Sequence, residues 1–219
     1  MALTLYYHPL SSYSWKVLIP LYEAGTPFNG RNLADEDAIA EWKKLWPIER
    51  FPVLVDDVRK KTLPESSIII EFLATHYPGP APLLPHDEDA RLDVRFVDRV
   101  LDNYVHNPMQ TIVFDRMREE GRKDPLGLER AHAMLDRAYG WLDERMKDRS
   151  FACGEAFTLA DCAAAPALFY ADWVHPIGEA RPHLAAYRAR LLARPSVKRV
   201  VDEARPSRVL FPGGAPDRD

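Results

Sequence analysis

Four prolines fall within eleven residues near the middle of the chain, in the stretch YPGPAPLLPHD (77–87). Proline has no backbone N–H and its ring disrupts helix interiors, so this stretch cannot form a helix or an inner strand. A chain of 219 residues suffices for one large domain or two small ones. The proline cluster favours two, and we predict a first domain over residues 1–79, a linker over 80–87 and a second domain over 88–219.

The first part of the chain mixes short apolar runs with helical periodicity. The segments LTLYY, FPVLVDD and RKKTL are typical of strands, and a weaker strand is expected over 28–33. Apolar residues recur at helical spacing in SWKVLIPLYEAG, where Pro20 predicts a kink. A further helix is expected over 36–45, and SIIIEFLATHY is predicted to be a strongly apolar helix. The predicted order is therefore β-α-β-α-β-β-α, a small α/β domain.

The second part of the chain is predicted to be helical throughout. Residues 91–118 carry a clear apolar stripe at helical spacing, and Pro108 within it predicts a bend. Further helices are expected over 128–147, 159–174, 183–192 and 196–203. The fold class predicted from the residues is thus an α/β domain followed by an all-helical one.

Composition and charge exclude several classes of protein. The chain has 33 acidic and 29 basic residues, a net charge of −4, which argues against a general nucleic-acid binder. No apolar run is long enough for a membrane span, and no signal peptide is recognised at the start. Two cysteines, Cys153 and Cys162, make a disulfide framework or a Cys-rich zinc site improbable and suit a reducing cytoplasm. The histidine spacing gives no metal motif, so no metal site is expected.

Polar residues cluster where two of the predicted helices begin. Ser11, Ser12 and Tyr13 precede the first helix, and Glu65 and Ser66 precede the apolar helix of SIIIEFLATHY. Free N–H groups at a helix N-terminus favour an anion such as a thiolate or a carboxylate. Each cluster is also typical of an ordinary helix start. Taken alone, each is more simply interpreted as structural.

A third helix start has a recognisable motif. Thr158 and Asp161 in FTLADCAAAPAL have the spacing of a capping box, which we interpret as structural and worth about 1 kcal/mol.

The order and spacing of these segments resemble the glutathione S-transferase family over about residues 3–205. The segment YYHPLSSYSWKVLIPLYEAG is similar to the family's first strand, catalytic loop and first helix. RFPVLVDD resembles its cis-proline strand, TLPESSIIIEFL its γ-glutamyl site, and FTLADCAAAPAL its buried capping-box helix. The resemblance implies a thioredoxin-like domain, an all-helical domain and a homodimer.

The resemblance also implies roles for individual residues towards glutathione, the expected co-substrate. Glu65 and Ser66 would bind the γ-glutamyl group, Phe51 before a cis Pro52 would pair its backbone with the cysteinyl part, and Arg50 would reach the glycyl carboxylate. SSYSWKV is similar to the serine-type loop of the zeta class, which makes Ser11 the first choice of catalytic hydroxyl, Ser12 the second and Tyr13 the third. Tyr13 occupies a position where related classes carry cysteine, so mixed-disulfide chemistry is not expected.

The implied activity is transfer of the glutathione thiolate to a small hydrophobic electrophile, in a cytoplasmic detoxification role. The electrophile would bind between the domains, in a pocket lined by Tyr104, His106, Met109, Gln110, Val113 and Trp173. Two alternatives stay open: a glutathione-dependent isomerase or lyase, such as a zeta-type isomerase or an etherase, and a non-catalytic binding protein of the same fold. No nucleic acid or membrane partner is expected.

Overall fold

A computed structural model describes residues 2–219 of the chain. Its sheet has four strands in the order β2-β1-β3-β4, with β1 parallel to β2 and antiparallel to β3, and β3 antiparallel to β4. The strands are β1 (Leu3–Tyr7), β2 (Asn29–Asn32), β3 (Val53–Asp56) and β4 (Lys61–Pro64). The helices between and after them are α1 (Ser12–Glu23), α2 (Glu36–Leu45) and α3 (Ser66–His76). The predicted β-α-β-α-β-β-α order is confirmed.

The rest of the chain is helical, as predicted. Its helices are α4 (Glu88–Leu101), α5 (Asn107–Arg116), α6 (Pro125–Arg145), α7 (Leu159–Val174), α8 (Pro182–Leu192) and α9 (Pro195–Ala204). The proline-rich residues 77–87, all of them described, carry no helix or strand. No helix within residues 2–219 combines the length and the apolar character needed to cross a membrane.

Two prolines lie inside the helical segments. Helix α1 continues through Pro20 and ends at Glu23, just before Gly25, whose φ of +61° suits the left-handed stop of a helix. Pro108 lies in the first turn of α5, after a π-helical turn over Asp102–His106. Because Pro108 has no N–H to donate four residues back, the register of hydrogen bonding changes there, and such π-helical turns are among the places where helices bend.

One hydrophobic core includes residues from both parts of the chain, and α1 packs directly against α7. Trp15 of α1 has its ring centroid 4.9 Å from that of Phe169 and 5.0 Å from that of Tyr170. Every residue of α7 is buried. The start of α1, which carries the serine-rich loop, is therefore fixed against the centre of the helical part.

The capping box at the start of α7 is present as predicted. The Asp161 carboxylate accepts hydrogen bonds from the backbone N–H of Thr158 at 2.8 Å and from its hydroxyl at 3.1 Å. It also accepts from the N–H of Ala152 at 2.9 Å and from the hydroxyl of Tyr187 at 2.6 Å. Asp161 thus joins the helix start to a preceding turn and to α8.

Candidate functional site

Two adjoining cavities lie where the strand ends and helix starts of the first part face α4, the π-helical turn and α5. The first has a volume of about 390 Å³ and is mainly polar, with Tyr13, Arg50, Glu65, Ser66 and Arg99 among its lining residues. The second, of about 190 Å³, is mainly apolar, with Leu10, Met109, Val113, Tyr170 and Phe211 in its wall. Four residues line both cavities: Ser11, Phe51, Gln110 and Phe114.

Ser11 is the N-cap of α1 and lies at the junction of the two cavities. Its backbone is extended, and its Oγ accepts a hydrogen bond from the N–H of Ser14 at 3.1 Å. The sequence left two interpretations of this residue, a helix cap and an anion site. They are compatible, because accepting through Oγ leaves the hydroxyl proton free to be donated to a third group.

The other two hydroxyls of the loop are placed differently. Ser12 is buried in the first turn of α1 and lines only the apolar cavity. Tyr13 lines only the polar cavity, and its ring packs on His106 with centroids 4.6 Å apart. Burial raises the pKa of the Tyr13 phenol well above its usual value, with a further contribution from the charge of Asp102, so Tyr13 is a neutral phenol at neutral pH.

Glu65 and Ser66 form the open N-terminus of α3 at the wall of the polar cavity. Glu65 is the N-cap residue, yet its side chain accepts no capping hydrogen bond from the helix. Its φ of +70° lies in a region that non-glycine residues seldom occupy, which is a strained backbone at a site wall. The first N–H groups of α3 are therefore available to an anion, beside a carboxylate that could meet an amine.

Arg50, Phe51 and Pro52 lie next to these groups, at the start of β3. The peptide bond between Phe51 and Pro52 is cis. The first paired residue of β3 is Val53, which lies opposite Tyr6 of β1 and Pro64 of β4. Phe51 comes before it, so its backbone lies beyond the last strand pairs at this end of the sheet. Arg50 is exposed, and its carbonyl accepts a hydrogen bond from the indole N–H of Trp42 at 3.0 Å.

Trp46 is a lining residue that the sequence analysis missed. It follows α2, and its indole nitrogen is buried without a hydrogen-bond partner among the described residues. The only feature of the sequence that could have indicated Trp46 as a lining residue is its position directly after an amphipathic helix.

A buried ionic network lies beneath the polar cavity and was also missed. Lys16 of α1 is completely buried, with its Nζ 2.5 Å from a carboxylate oxygen of Asp98 and 2.9 Å from one of Asp102. Ser67, beside Ser66, accepts from Lys16 Nζ at 3.0 Å and donates to Asp98 at 2.7 Å. This network ties α1 and the start of α3 to α4. The spacing of Asp98, Asp102 and His106 at four-residue intervals was the available signal.

The network sets the charge of its members. Burial disfavours the Asp102 carboxylate, but the hydrogen bond from His106 and the charge of Lys16 outweigh it and lower the pKa of Asp102 to about 2. Burial lowers the pKa of His106, against the opposing effect of Asp102, so His106 is neutral at neutral pH. Its Nδ1 lies 3.2 Å from Asp102 and donates to that carboxylate. Arg99, more exposed, also contacts Asp102 and lines the polar cavity.

The six residues predicted to line an electrophile pocket are not all brought together. Met109, Gln110 and Val113 line the apolar cavity. His106 is completely buried behind Tyr13 and lines neither cavity. Trp173 lies behind the wall, packed edge-on against Phe211 at 5.0 Å.

Tyr104 is on a different face. Asn103, Asn107 and Gln110 recur at helical spacing along the polar cavity. Tyr104 is one residue on, roughly a quarter-turn further round, and faces a surface groove with Phe96 and Trp141. Two wall residues, Tyr170 and Phe211, were missed because only the tertiary packing of α7 and the C-terminal segment brings them to the cavity.

The arrangement suits a small charged molecule with a reactive group near Ser11. An open helix end and two arginines offer binding to carboxylates, Glu65 offers binding to an amine, and the adjoining apolar cavity offers room for a second, uncharged reactant. Within residues 2–219 no three His, Cys, Asp or Glu side chains are grouped so as to hold a metal ion.

Comparison with known proteins agrees with this geometry. Residues 5–81 match the family model of the glutathione S-transferase N-terminal domain, and residues 125–190 match that of the C-terminal domain. A stringent starvation protein A homolog of Coxiella burnetii is 30% identical over 204 residues, 92% of each chain. A probable maleylacetoacetate isomerase of Drosophila melanogaster is 26% identical over 178 residues, 78% of this chain and 75% of the relative.

A solved structure resembles the chain over most of its length. It is a glutathione S-transferase of Methylobacillus flagellatus with GSH bound, which superposes with a TM-score of 0.80 at 26% identity and covers 90% of this chain and 98% of its own. Both domain models, the near full-length relative and this superposition agree with the fold. The chain belongs to the glutathione S-transferase family.

Proposed function

We propose that the protein is a glutathione transferase that joins the glutathione thiolate to a small hydrophobic electrophile. The observation that carries this proposal is the position of Ser11, which lines both the polar and the apolar cavity. A thiol at that junction would meet its activating hydroxyl on one side and its reaction partner on the other. The solved relative with GSH bound supports the choice of thiol.

The polar cavity would hold glutathione through the residues around its wall. The N–H groups at the start of α3 and the Ser66 hydroxyl would bind the γ-glutamyl carboxylate, and Glu65 would bind its amine. Phe51, at the open end of β3, would pair its backbone with the cysteinyl part. Arg50 would reach the glycyl carboxylate.

Catalysis would depend on lowering the pKa of the bound thiol. A free thiol has a pKa of about 8.5, and hydrogen bonding to the thiolate together with a helix N-terminus lowers that value. The Ser11 hydroxyl can donate a hydrogen bond to the thiolate sulfur while its Oγ still accepts one from the N–H of Ser14, at the positive end of α1. The sulfur lone pair then attacks the electrophilic carbon in the apolar cavity.

Substitution of Ser11 tests the proposal. We expect Ser11→Ala to reduce turnover of 1-chloro-2,4-dinitrobenzene by at least about a hundredfold, because the thiolate loses its donor, while calorimetry still detects glutathione binding. Ser11→Thr retains donor and cap and should keep much of the activity. Ser12→Ala, which alters only the apolar cavity, is the matched control. Unchanged turnover in Ser11→Ala would overturn the assignment.

A second candidate is a binding role without catalysis. The match with the relative from Coxiella burnetii spans 92% of this chain, and that relative is named as a stringent starvation protein and not as a transferase. Calorimetry excludes the transferase if the protein does not bind glutathione at millimolar concentration. If glutathione binds but 1-chloro-2,4-dinitrobenzene is not turned over, the binding role is favoured. Isomerase activity, after the name of the Drosophila relative, would be distinguished by assaying the purified protein on maleylacetoacetate.

A homodimer, a cytoplasmic location and a role in detoxification belong to the same proposal. The surface groove between α4 and α6, lined by Phe96, Tyr104 and Trp141, is apolar and exposed, as expected of an interface. The mass in solution, measured by light scattering for the wild type and for Phe96→Asp, tests the dimer. The free thiols of Cys153 and Cys162 support a reducing compartment.

A further inference from the structure

A row of polar side chains joins the segment between α7 and α8 to one face of α6. His175, the residue directly after α7, has its Nδ1 2.9 Å from the Nδ1 of His132 in α6. The Nε2 of His175 lies 2.9 Å from Oδ1 of Asp136, and Arg181 donates to the same oxygen at 2.6 Å. His132 and His175 are 43 residues apart in the chain, so only the tertiary fold brings the two imidazoles together.

These side chains hold a segment that has no regular structure of its own. Residues 175–181 form no helix or strand. A further contact to α6 comes from Tyr139, whose hydroxyl donates to the carbonyl of His175 at 3.1 Å. Burial raises the pKa of Tyr139, so this donor stays a neutral phenol. The N–H of Ile177 donates to Asp172 at the end of α7 at 2.9 Å. None of these residues lines the polar or the apolar cavity, so the network has no part in the proposed function.

The contact between the two imidazoles needs one donor and one acceptor. A carboxylate only accepts, so the Nε2 of His175 carries a proton and donates to Asp136. The bond between the Nδ1 atoms then forms in two ways: His132 donates to a neutral His175, or a charged His175 donates to a neutral His132. When both imidazoles are charged, each Nδ1 is a donor, no bond is possible and two positive charges face each other.

The groups around the pair oppose the second charge. Burial and the charge of His175 lower the pKa of His132, and Arg116 of α5 adds to this effect, against the opposing effect of Asp136. Hydrogen bonds from His175 and Arg181 lower the pKa of Asp136, so it stays a carboxylate in mild acid. One proton on the pair is therefore compatible with the folded arrangement, and two are not.

We propose that His132 and His175 form an acid-sensitive latch, which holds residues 175–181 on α6 at neutral pH and releases them when both imidazoles are protonated. The step needs only a proton from the solvent. The released segment binds two protons where the latched segment binds one, because the separated imidazoles are each solvated. Acid therefore favours release by up to about tenfold per pH unit below about pH 6.5.

Hydrogen exchange followed by mass spectrometry tests this release directly. The full-length protein is compared at about pH 7.5 and about pH 5, and protection is corrected for the intrinsic effect of pH on exchange. In the wild type, we expect the peptide that covers residues 175–181 to lose protection by about tenfold on acidification. The N–H of Ile177, which is bonded to Asp172 in the latched form, is one of the amides that report it.

Two substitutions at His132 separate its titration from the contact itself. In His132→Asn the amide nitrogen replaces Nδ1 and donates at every pH, while the amide oxygen can accept from a charged His175. Protection of residues 175–181 in His132→Asn should then stay within about threefold between the two pH values. His132→Ala removes the bond, so its protection should already be lower by about tenfold at neutral pH. His86→Asn replaces an exposed histidine outside the network and should behave like the wild type.

Proton–nitrogen NMR spectra of the imidazoles provide a second measurement, which does not require the segment to open. At about pH 7.5 one of the two Nδ1 atoms should carry a proton and the other should not, and both should carry one after the acid step. Two bare or two protonated Nδ1 atoms at neutral pH would overturn the latch. Wild-type protection that does not fall in acid, or that falls as much in His132→Asn, would overturn it as well. None of these measurements depends on glutathione, so they leave the proposed function untouched.

Discussion

The ring of Tyr13 packs on the imidazole of His106, with centroids 4.6 Å apart and planes 30° from parallel. Through this contact the first turn of α1 covers the π-helical turn of the helical part. His106 is completely buried there, and Tyr13 lies between it and the polar cavity. Tyr13 thus covers the buried network and does not present a free phenol at the junction where Ser11 lies.

The first prediction concerns which loop hydroxyl is catalytic. Tyr13→Phe keeps the ring over His106 and removes only the phenol oxygen, so we expect turnover of 1-chloro-2,4-dinitrobenzene within about threefold of the wild type. The reason is that Ser11 lines both cavities whereas Tyr13 lines only the polar one. Steady-state kinetics of Tyr13→Phe beside Ser11→Ala check this. Loss of activity in Tyr13→Phe with retention in Ser11→Ala would exchange the two roles.

The second prediction concerns the buried network. Lys16→Met leaves the carboxylates of Asp98 and Asp102 buried without their ammonium partner. Breaking a buried pair in this way costs about 3–5 kcal/mol. Urea unfolding should show that loss, and adding Asp98→Asn should restore part of it, because one unpaired charge is removed.

A matched substitution controls for the change from lysine to methionine. Lys198 pairs with Asp202 on the exposed face of α9. Exposed pairs contribute little, so Lys198→Met should change the free energy of unfolding by less than about 1 kcal/mol. If Lys16→Met and Lys198→Met lower the free energy of unfolding by similar amounts, the buried ion pairs of Lys16 contribute no more to stability than an exposed pair.

The third prediction is a pH dependence of stability. Below about pH 6.5 the unfolded chain binds a proton at His106, whereas burial keeps the folded side chain neutral. The unfolded state then holds more protons, so the free energy of unfolding falls with decreasing pH, by up to about 1.4 kcal/mol per unit for one proton. Asp102, with a folded pKa of about 2, adds a further loss as the pH falls from about 4 to about 2.

Variants at two histidines isolate the first of these losses. His106→Gln should flatten the decrease in the free energy of unfolding between about pH 6.5 and pH 5, measured by urea unfolding at each pH. His86→Gln replaces an exposed histidine and should leave the slope unchanged. An unaltered slope in His106→Gln would show that this imidazole is charged in the folded protein.

Local signals predicted the elements well, because their causes are local. The helix over 36–45 and the helix of Leu159–Val174 were predicted to the residue, from apolar spacing in both cases and from the capping box in the second. Even there the sequence showed only part of the role of Asp161. Its bonds to Ala152 and Tyr187 depend on tertiary packing and have no periodic signature.

The residues that the sequence could not assign all depend on where two distant elements meet. Lys16 would be an ordinary helical lysine if α4 did not place Asp98 over it. Tyr104 was expected in the pocket from its position near Pro108, but the face it occupies depends on the phase of the helix through the π-helical turn. Tyr170 reads as one apolar residue among many in α7 until that helix is packed against α1.

The last prediction separates stability from binding at Glu65. Its φ of +70° costs a non-glycine residue about 1–2 kcal/mol, a cost that glycine does not bear. Glu65→Gly and Glu65→Ala both remove the carboxylate, so both should raise the Kd for glutathione by about tenfold or more, which calorimetry measures. Only Glu65→Gly relieves the backbone, and its free energy of unfolding should exceed that of Glu65→Ala by about 1 kcal/mol. If both variants bind glutathione like the wild type, Glu65 has no part in the site; if both lose affinity but unfold alike, the positive φ at position 65 carries no measurable strain.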